Sequence, residues 1–264
     1  MSSTPIVAFL SDFGLSDSYV AEVKGVILSI NSEIEIIDVT HQIEPQNVLQ
    51  ASLMLQRTAE FMPSETTFLS VVDPGVGSDR KVVAVETTRG VFIAPDNGLL
   101  WLTVNDLDVR NVVAVENYQY FFNEPSATFE GRDKMAPVAA YSALGVEVTQ
   151  FGPTQTGIEK LDIPSVRAES ETLVGEILYF DRFGNAITNI TLENLMQFEA
   201  SQLPIVYYNS HEIGHIVTTF SDSDNGTAMA YFGSSGYLEL AVNRGSFRRK
   251  MGAESGQQVA VNYA

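Results

Sequence analysis

The sequence predicts an α/β domain with a mostly parallel sheet followed by an all-β barrel domain, and three observations carry that prediction. From residue 5 to about 150, short apolar runs alternate with segments whose apolar residues recur at helical spacing, the pattern of a buried parallel sheet with crossover helices. From Leu173 onward, strand-like runs follow at short intervals with turn residues between them, which suits a small barrel. Between the two, residues 152–171 lapse into Pro, Gly, Thr and Ser. The boundaries that follow are 1–155 for the α/β domain, 156–171 for a linker and 172–264 for the barrel domain.

The first domain reads in order. Pro5 to Leu10 is a continuous apolar run of the kind buried on both faces, and it ends at Ser11-Asp12-Phe13-Gly14. A helix follows, with Asp17 or Ser16 as its cap and Val20, Val23, Ile27 and Ile30 on one face. Ile34 to Val39 is a strand, Val48 to Ala59 a second amphipathic helix, and Thr66 to Val72 a third apolar strand. Lys81 to Glu86 and Gly90 to Ala94 are two more strands, and Asp96-Asn97-Gly98 turns into Leu99-Leu100-Trp101-Leu102. Thr128-Phe129-Glu130-Gly131-Arg132-Asp133 then precedes a helix of small apolar residues from Ala136 to Tyr141, which Asp133 is placed to cap.

In the second domain the strands are Leu173 to Phe180, Ile205 to Tyr208, Ile216 to Phe220, Ala228 to Phe232, Tyr237 to Val242 and Gln257 to Val261. No internal repeat or low-complexity segment interrupts either half.

Composition narrows the function. With 264 residues the chain can bury a substantial core without staples. It has no cysteine, which removes disulfides, thiolate nucleophiles and cysteine metal sites and fits a reducing cytoplasm. The opening Met1-Ser2-Ser3-Thr4-Pro5 lacks the features of a signal peptide, and no run approaches the roughly 20 apolar residues of a membrane span. Thirty-three acidic against fifteen basic residues give a net charge of −18, whose field disfavours nucleic acid and anionic membrane. The basic cluster from Arg244 to Lys250 is most simply a solvated loop.

The candidate chemistry begins at Ser70-Val71-Val72-Asp73-Pro74-Gly75-Val76-Gly77-Ser78-Asp79-Arg80. A strand delivers Asp73 to its end, a Pro/Gly turn reverses the chain, and Arg80 returns to the acid. An acid and a guanidinium on one tight turn can share a pocket, although Asp-Pro-Gly is also ordinary turn chemistry. Asp12 also lies where a strand stops, at the edge where open α/β sheets bind ligands, and an Asx-turn or a helix cap would explain it equally. Ser-Asp-Phe-Gly resembles the kinase metal loop, but the other kinase landmarks are missing.

His211-Glu212-Ile213-Gly214-His215 matches the zinc-protease pattern His-Glu-x-x-His, which needs a helix to bring both imidazoles to one metal. The flanking Ile205-Val206-Tyr207-Tyr208-Asn209-Ser210 and Ile216-Val217-Thr218 have hairpin composition, and in a strand the two histidines would stand about 13 Å apart. No metal site is expected.

With Asp12, the Asp73 to Arg80 turn, the Thr128 to Asp133 string and Asp181-Arg182-Phe183-Gly184-Asn185-Ala186-Ile187-Thr188-Asn189-Ile190 in hand, the chain resembles the S-adenosylmethionine hydroxide adenosyltransferases, the hydrolase branch of the family that also holds the fluorinases and chlorinases. The likeness runs from about residue 5 to 262. It implies an α/β domain, a β-barrel and a homotrimer with sites shared between subunits. It also implies hydrolysis of S-adenosylmethionine to adenosine and methionine by water or hydroxide attack at C5′, with no cofactor or metal.

By the same resemblance Asp73 and Arg80 match two of the three residues that hold the nucleophile, while Glu130 replaces the histidine of the family's Thr-Phe-His-Gly-Arg-Asp string. Glu130 is therefore expected to position the attacking water, with acceptance of its proton as a further role and turnover rising toward alkaline pH, its bland alternative being a surface acid on a loop before a helix. Asp12 resembles the acid that accepts both ribose hydroxyls, and Asp181 and Asn185 the residues that hold the methionine amino and carboxylate ends. Phe220 resembles an aromatic that packs on adenine, or is a core aromatic at a strand end, and Ser234, Asn243 and Arg244 lie in the nucleoside loops. Gly131 and Asp73 stand where the fluorinase has a halide-binding serine and a tyrosine, which favours hydrolysis over halogenation. The alternative is a protein of the same fold that binds S-adenosylmethionine or adenosine without turnover.

Overall fold

The computed structural model describes residues 4–122, 125–197 and 203–263; Met1 to Ser3, read above for the lack of a leader, lie outside them. The chain divides into two units, Met1–Asp162 and Ile163–Ala264.

The first unit is a sheet with helices on both faces. Its strands are β1 (Ile6–Ser11), β2 (Glu35–Thr40), β3 (Thr66–Val71), β4 (Val82–Thr87), β5 (Gly90–Pro95) and β6 (Val109–Ala114), in the order β2-β1-β3-β5-β4-β6. The β2-β1-β3-β5 pairings are parallel, and β4 is antiparallel to both its neighbours, so β4 alone runs against the rest. The helices are α1 (Tyr19–Ile30), α2 (Val48–Ala59), the short α3 (Trp101–Val104) and α4 (Ala136–Ala143).

Alternation along the strands builds two cores. Val7 and Phe9 of β1 point to α1 and α4, where Val23, Ile27, Val138 and Ala139 are buried, while Ala8 and Leu10 point to α2 and α3, with Leu55, Leu99 and Leu100. Burying each large apolar side chain contributes about 1.5–3 kcal/mol, which is why the continuous apolar run of β1 takes a central place.

Several local expectations need correction. The cap position of α1 is Ser18, not Asp17 or Ser16; its hydroxyl donates to Glu22 instead of accepting from the backbone. Asp133 does not cap α4: it sits inside a π-helical segment, Gly131–Met135, that runs directly into that helix. Its carboxylate is buried and takes hydrogen bonds from the Arg132 side chain and the Ser126 backbone N–H. The edge strand β6 escaped the sequence because charged and polar residues open it, and α3 because it is a single turn.

The second unit is a closed barrel of seven strands. They are β8 (Thr172–Phe180), β9 (Ala186–Thr191), β10 (Ile205–Tyr208), β11 (His211–Val217), β12 (Ala228–Phe232), β13 (Tyr237–Val242) and β14 (Gln258–Asn262), with the short β7 (Arg167–Glu169) added beside β8. The pairing of β14 with β8 closes the ring and removes the free edges. Short helices α5 (Leu192–Met196) and α6 (Phe247–Met251) accompany it.

Residues 211–215 are strand, paired antiparallel with β10, so the His-Glu-x-x-His string has the hairpin geometry its neighbours predict. β11 stops at Val217, three residues before Phe220, and pairs in parallel with β12; a parallel pair needs a crossover, and the 3-10 turn Phe220–Asp222 lies within it. The strand expected through Phe220 therefore ends early.

Candidate functional site

In the first unit, β1 and β3 are parallel neighbours with Ser11 beside Val71, so the chain leaves both at one sheet edge and carries Asp12 and Asp73 there. The turn after β3 is set by its own atoms: Asp73 and Gly75 carbonyls accept from the N–H groups of Val76 and Ser78, and the Ser78 hydroxyl donates to the Gly75 carbonyl at 2.7 Å. Gly77 is needed in that turn, because its φ is +79° and a Cβ would stand 2.9 Å from the Ala127 carbonyl oxygen.

This brings Arg80 back on Asp73. Arg80 Nε donates to Asp73 Oδ1 at 2.7 Å, while Nη2 donates to Asp73 Oδ2 and, at 2.5 Å, to Glu130 Oε2. The side chains of Asp73, Arg80 and Glu130 are only 7%, 10% and 11% exposed, which separates this group from ordinary surface ion pairs. Burial, with help from the Glu130 charge, holds the Asp73 carboxyl above its usual range against the pull of Arg80. Arg80 Nη1 is buried and has no hydrogen-bond partner among the described residues, so its two N–H groups are left for a ligand oxygen.

The π-helical segment supplies the remaining members. Glu130 immediately precedes it, and Lys134 Nζ donates to Glu130 Oε1 with its ammonium 5.8 Å from the Phe121 ring centre. Lys134 escaped the sequence reading; its signal was the four-residue spacing from Glu130. Asp12 Oδ2 accepts the Gln46 N–H at 2.8 Å, and Oδ1 takes no hydrogen bond from a described residue. Phe13, Tyr19 and Phe129 pack edge to face beside this edge, with centroids 5.4–6.0 Å apart.

The remaining candidates lie in the second unit. Asp181, Phe183, Asn185, Phe220, Tyr231 and Arg244 are among the residues lining a cavity of about 700 Å³. The loop from β8 to β9 is tied by its own acid and to α6: Asp181 Oδ1 accepts the N–H groups of Phe183 and Asn185, Oδ2 accepts from Asn185 Nδ2, Gly184 turns at φ +82°, and its carbonyl accepts the Arg248 N–H at 3.0 Å. Phe220 lies 5.0 Å from Tyr231, ring to ring, and Tyr231 donates to Glu239 at 2.5 Å; burial and that carboxylate hold the phenol protonated well above its usual range.

Arg244 lines the cavity with φ +57°, a conformation L-residues rarely hold. Asn243 does not line it; it donates to the Phe220 and Ser223 carbonyls and so fixes the Phe220 turn. Ser234 lies in the turn between β12 and β13, also outside the lining. Tyr231 and Arg182 are lining residues that the sequence did not single out, and Arg249, read with its basic neighbours as a solvated loop, instead lies in α6 and lines the cavity.

Fold and site together define a protein with an α/β unit carrying a buried carboxylate–guanidinium cluster and a seven-stranded barrel carrying a separate aromatic and polar cavity. The chain belongs to the S-adenosylmethionine (SAM) hydroxide adenosyltransferase family: residues 7–152 match the model of its N-terminal domain and residues 175–260 that of its C-terminal domain. It is similar to the (R)-S-adenosyl-L-methionine hydrolases of Thermus thermophilus, at 36% identity over 97% of this chain and 98% of the relative, and of Salinispora arenicola, at 34% over 99% of each. The fluorinase of Actinopolyspora mzabensis is 28% identical over 98% of this chain and 97% of its own length. Among solved structures, an uncharacterized conserved protein from Thermotoga maritima superposes with a TM-score of 0.89 at 35% identity, covering 97% of this chain and 99% of the other.

Proposed function

We propose that this protein hydrolyses S-adenosyl-L-methionine to adenosine and L-methionine by attack of water at C5′. The observation that carries this reading is the buried Asp73–Arg80–Glu130 cluster with its unpartnered Arg80 Nη1, in a chain similar over nearly its whole length to named SAM hydrolases. Such a cluster offers the oxygen of a water the N–H groups of Nη1 and its O–H groups carboxylate lone pairs, which fixes its direction of approach. As the O–C5′ bond forms, the C5′–S pair returns to sulfur and methionine leaves as a neutral thioether. Positive charge disperses in that step, so a site that holds little bulk water favours it. Asp73, held above the usual carboxylate range, is better matched than an ordinary aspartate to receive the proton that the water releases.

Asp12 is assigned to the ribose hydroxyls through its open Oδ1, Asp181 and Asn185 to the methionine end, and Phe220 to adenine, with Tyr231 behind Phe220. The candidate groups divide between two units, and the family likeness, not that division, is what points to a homotrimer with sites shared between subunits. No cofactor takes part in this scheme. No helix among the described residues is long and apolar enough to cross a membrane, and with the charge of −18 this fits a cytoplasmic enzyme.

One observation favours binding without turnover: Glu130, tied to Arg80 and Lys134, stands where the family's Thr-Phe-His-Gly-Arg-Asp string has a histidine. Incubating the purified protein with S-adenosylmethionine and quantifying adenosine and methionine by chromatography decides between them. Equal amounts of both, above the uncatalysed background and lost in Asp73→Asn, support hydrolysis; ligand binding with no adenosine supports the alternative.

A further inference from the structure

Two carboxylates facing one guanidinium carry a net negative charge, and in a buried site that arrangement favours keeping a proton on one of them. Here a second cation corrects the balance. Lys134 meets Glu130 Oε1 while Arg80 meets Oε2, so Glu130 is spanned by two cations and Asp73 is left with Arg80 alone. The Lys134 side chain is one quarter exposed, yet its partner is almost fully buried, so its charge acts on the interior of the cluster. The neighbouring charges on this segment are already matched, since Arg132 pairs with Glu22 of α1 and with Asp133. The charged groups that act on Asp73 directly are Arg80 from its own turn and Glu130 from the segment opposite, and Lys134 reaches Asp73 only through Glu130.

We propose that Lys134 is a positioning residue for the reaction: it anchors Glu130 from the side away from Arg80, brings the four-residue cluster to zero net charge, and leaves Asp73 as the carboxylate that takes the proton of the attacking water. The proton moves from the water oxygen to an Asp73 oxygen as the O–C5′ bond forms and the C5′–S bond breaks toward sulfur. Arg80 already occupies one lone pair on each Asp73 oxygen, but each has a second to offer. The Phe121 ring beneath Lys134 helps to hold the ammonium over Glu130. This inference rests on the hydrolase reading above.

The test compares wild type, Lys134→Met, which keeps a stem of similar length without the charge, and Lys134→Arg, which keeps the charge. Adenosine release is followed between about pH 5 and 10, and the Asp73 carboxyl carbon, identified by its loss in Asp73→Asn, is titrated by ¹³C NMR in aspartate-labelled protein. In Lys134→Met the rising limb of kcat and the Asp73 titration should move together to higher pH by about one unit, with KM changed less than about twofold, and Lys134→Arg should restore both. An Asp73 titration that stays in place in Lys134→Met, or turnover that falls equally at every pH, overturns the proposal and leaves Lys134 an ordinary ion pair. If wild type releases no adenosine the hydrolase reading fails, and the carboxyl titration still decides whether Lys134 acts on Asp73.

Discussion

A Cβ on Gly131 would stand 2.9 Å from Cγ1 of Val71, so the segment that carries Glu130 lies against the strand that carries Asp73 at a distance only glycine permits. The Phe13 ring, two residues past the end of β1, closes the same space 3.5 Å from that Cβ position. Gly131→Ala should therefore push the Glu130 segment off β3, destabilise the protein by about 1–3 kcal/mol as overpacking does, and lower adenosine release more than it lowers stability. Chemical denaturation beside turnover at a temperature where the variant stays folded measures both. Unchanged turnover would mean that Val71 yields and Glu130 keeps its place.

Asp12 combines a structural and a ligand-facing role, since one oxygen holds the Gln46 N–H, at a residue with φ +66°, and the other is open. Asp12→Asn should weaken adenosine binding by about 1–3 kcal/mol, because an amide nitrogen presents a donor where a hydroxyl needs an acceptor. Calorimetric titration with adenosine checks this. Equal affinity in the variant would reduce Asp12 to the residue that ties its loop to Gln46.

The parts of the fold that a single repeating physical rule governs were legible in the sequence. β1 and β3 are buried on both faces and read as continuous apolar runs, and most barrel strands alternate between turn residues. What the sequence hid depends on neighbours. β6 pairs along the sheet edge through polar residues, β9 lay inside the Asp181 to Ile190 string read only as a motif, and β11 ends where a parallel crossover requires it. At the site, Asp73 and Arg80 were linked by one turn and visible together. Glu130 needed the resemblance, and Lys134 needed the π-helical segment, which a helical reading of Ala136 to Tyr141 did not include.

Away from the cluster, His41 forms a chain that runs from Lys24 through Asp38 to Ser11. Ser11 Oγ lies 2.8 Å from Nδ1, Asp38 Oδ1 3.1 Å from Nε2, and Lys24 Nζ 2.6 Å from Asp38 Oδ2. Burial holds the imidazole below its usual range although Asp38 pulls it back, so the folded state binds fewer protons than the unfolded one between the two values. The stabilisation from a neutral His41 is thus present above about pH 6.5 and is lost as pH falls through the lower folded value. Stability should decline from pH 7 toward pH 5, by at most about 1.4 kcal/mol per pH unit for this one proton, and His41→Gln should flatten that decline. Urea denaturation at a series of pH values tests this; an equal slope in the variant would place the pH dependence elsewhere.

Glu130 separates charge from shape within the cluster. Glu130→Gln keeps the size of the side chain and removes one negative charge, leaving Arg80 as the charged partner of Asp73 and Lys134 without its carboxylate. Because Asp73 is held above its usual range partly by the Glu130 charge, that loss should move its titration to lower pH, opposite in sign to the effect expected of Lys134→Met. The weaker base should then slow the chemical step at its alkaline plateau by less than the roughly 10²-fold typical of losing a general base outright, with the rising limb displaced toward acid. Glu130→His, able to stay neutral and accept a hydrogen bond, should recover part of the rate. Turnover profiles of the three proteins, read with the Asp73 carboxyl titration, decide the matter. A Glu130→Gln variant with the parent's rate and the parent's profile would make Glu130 a bystander and assign the water to Asp73 and Arg80 alone.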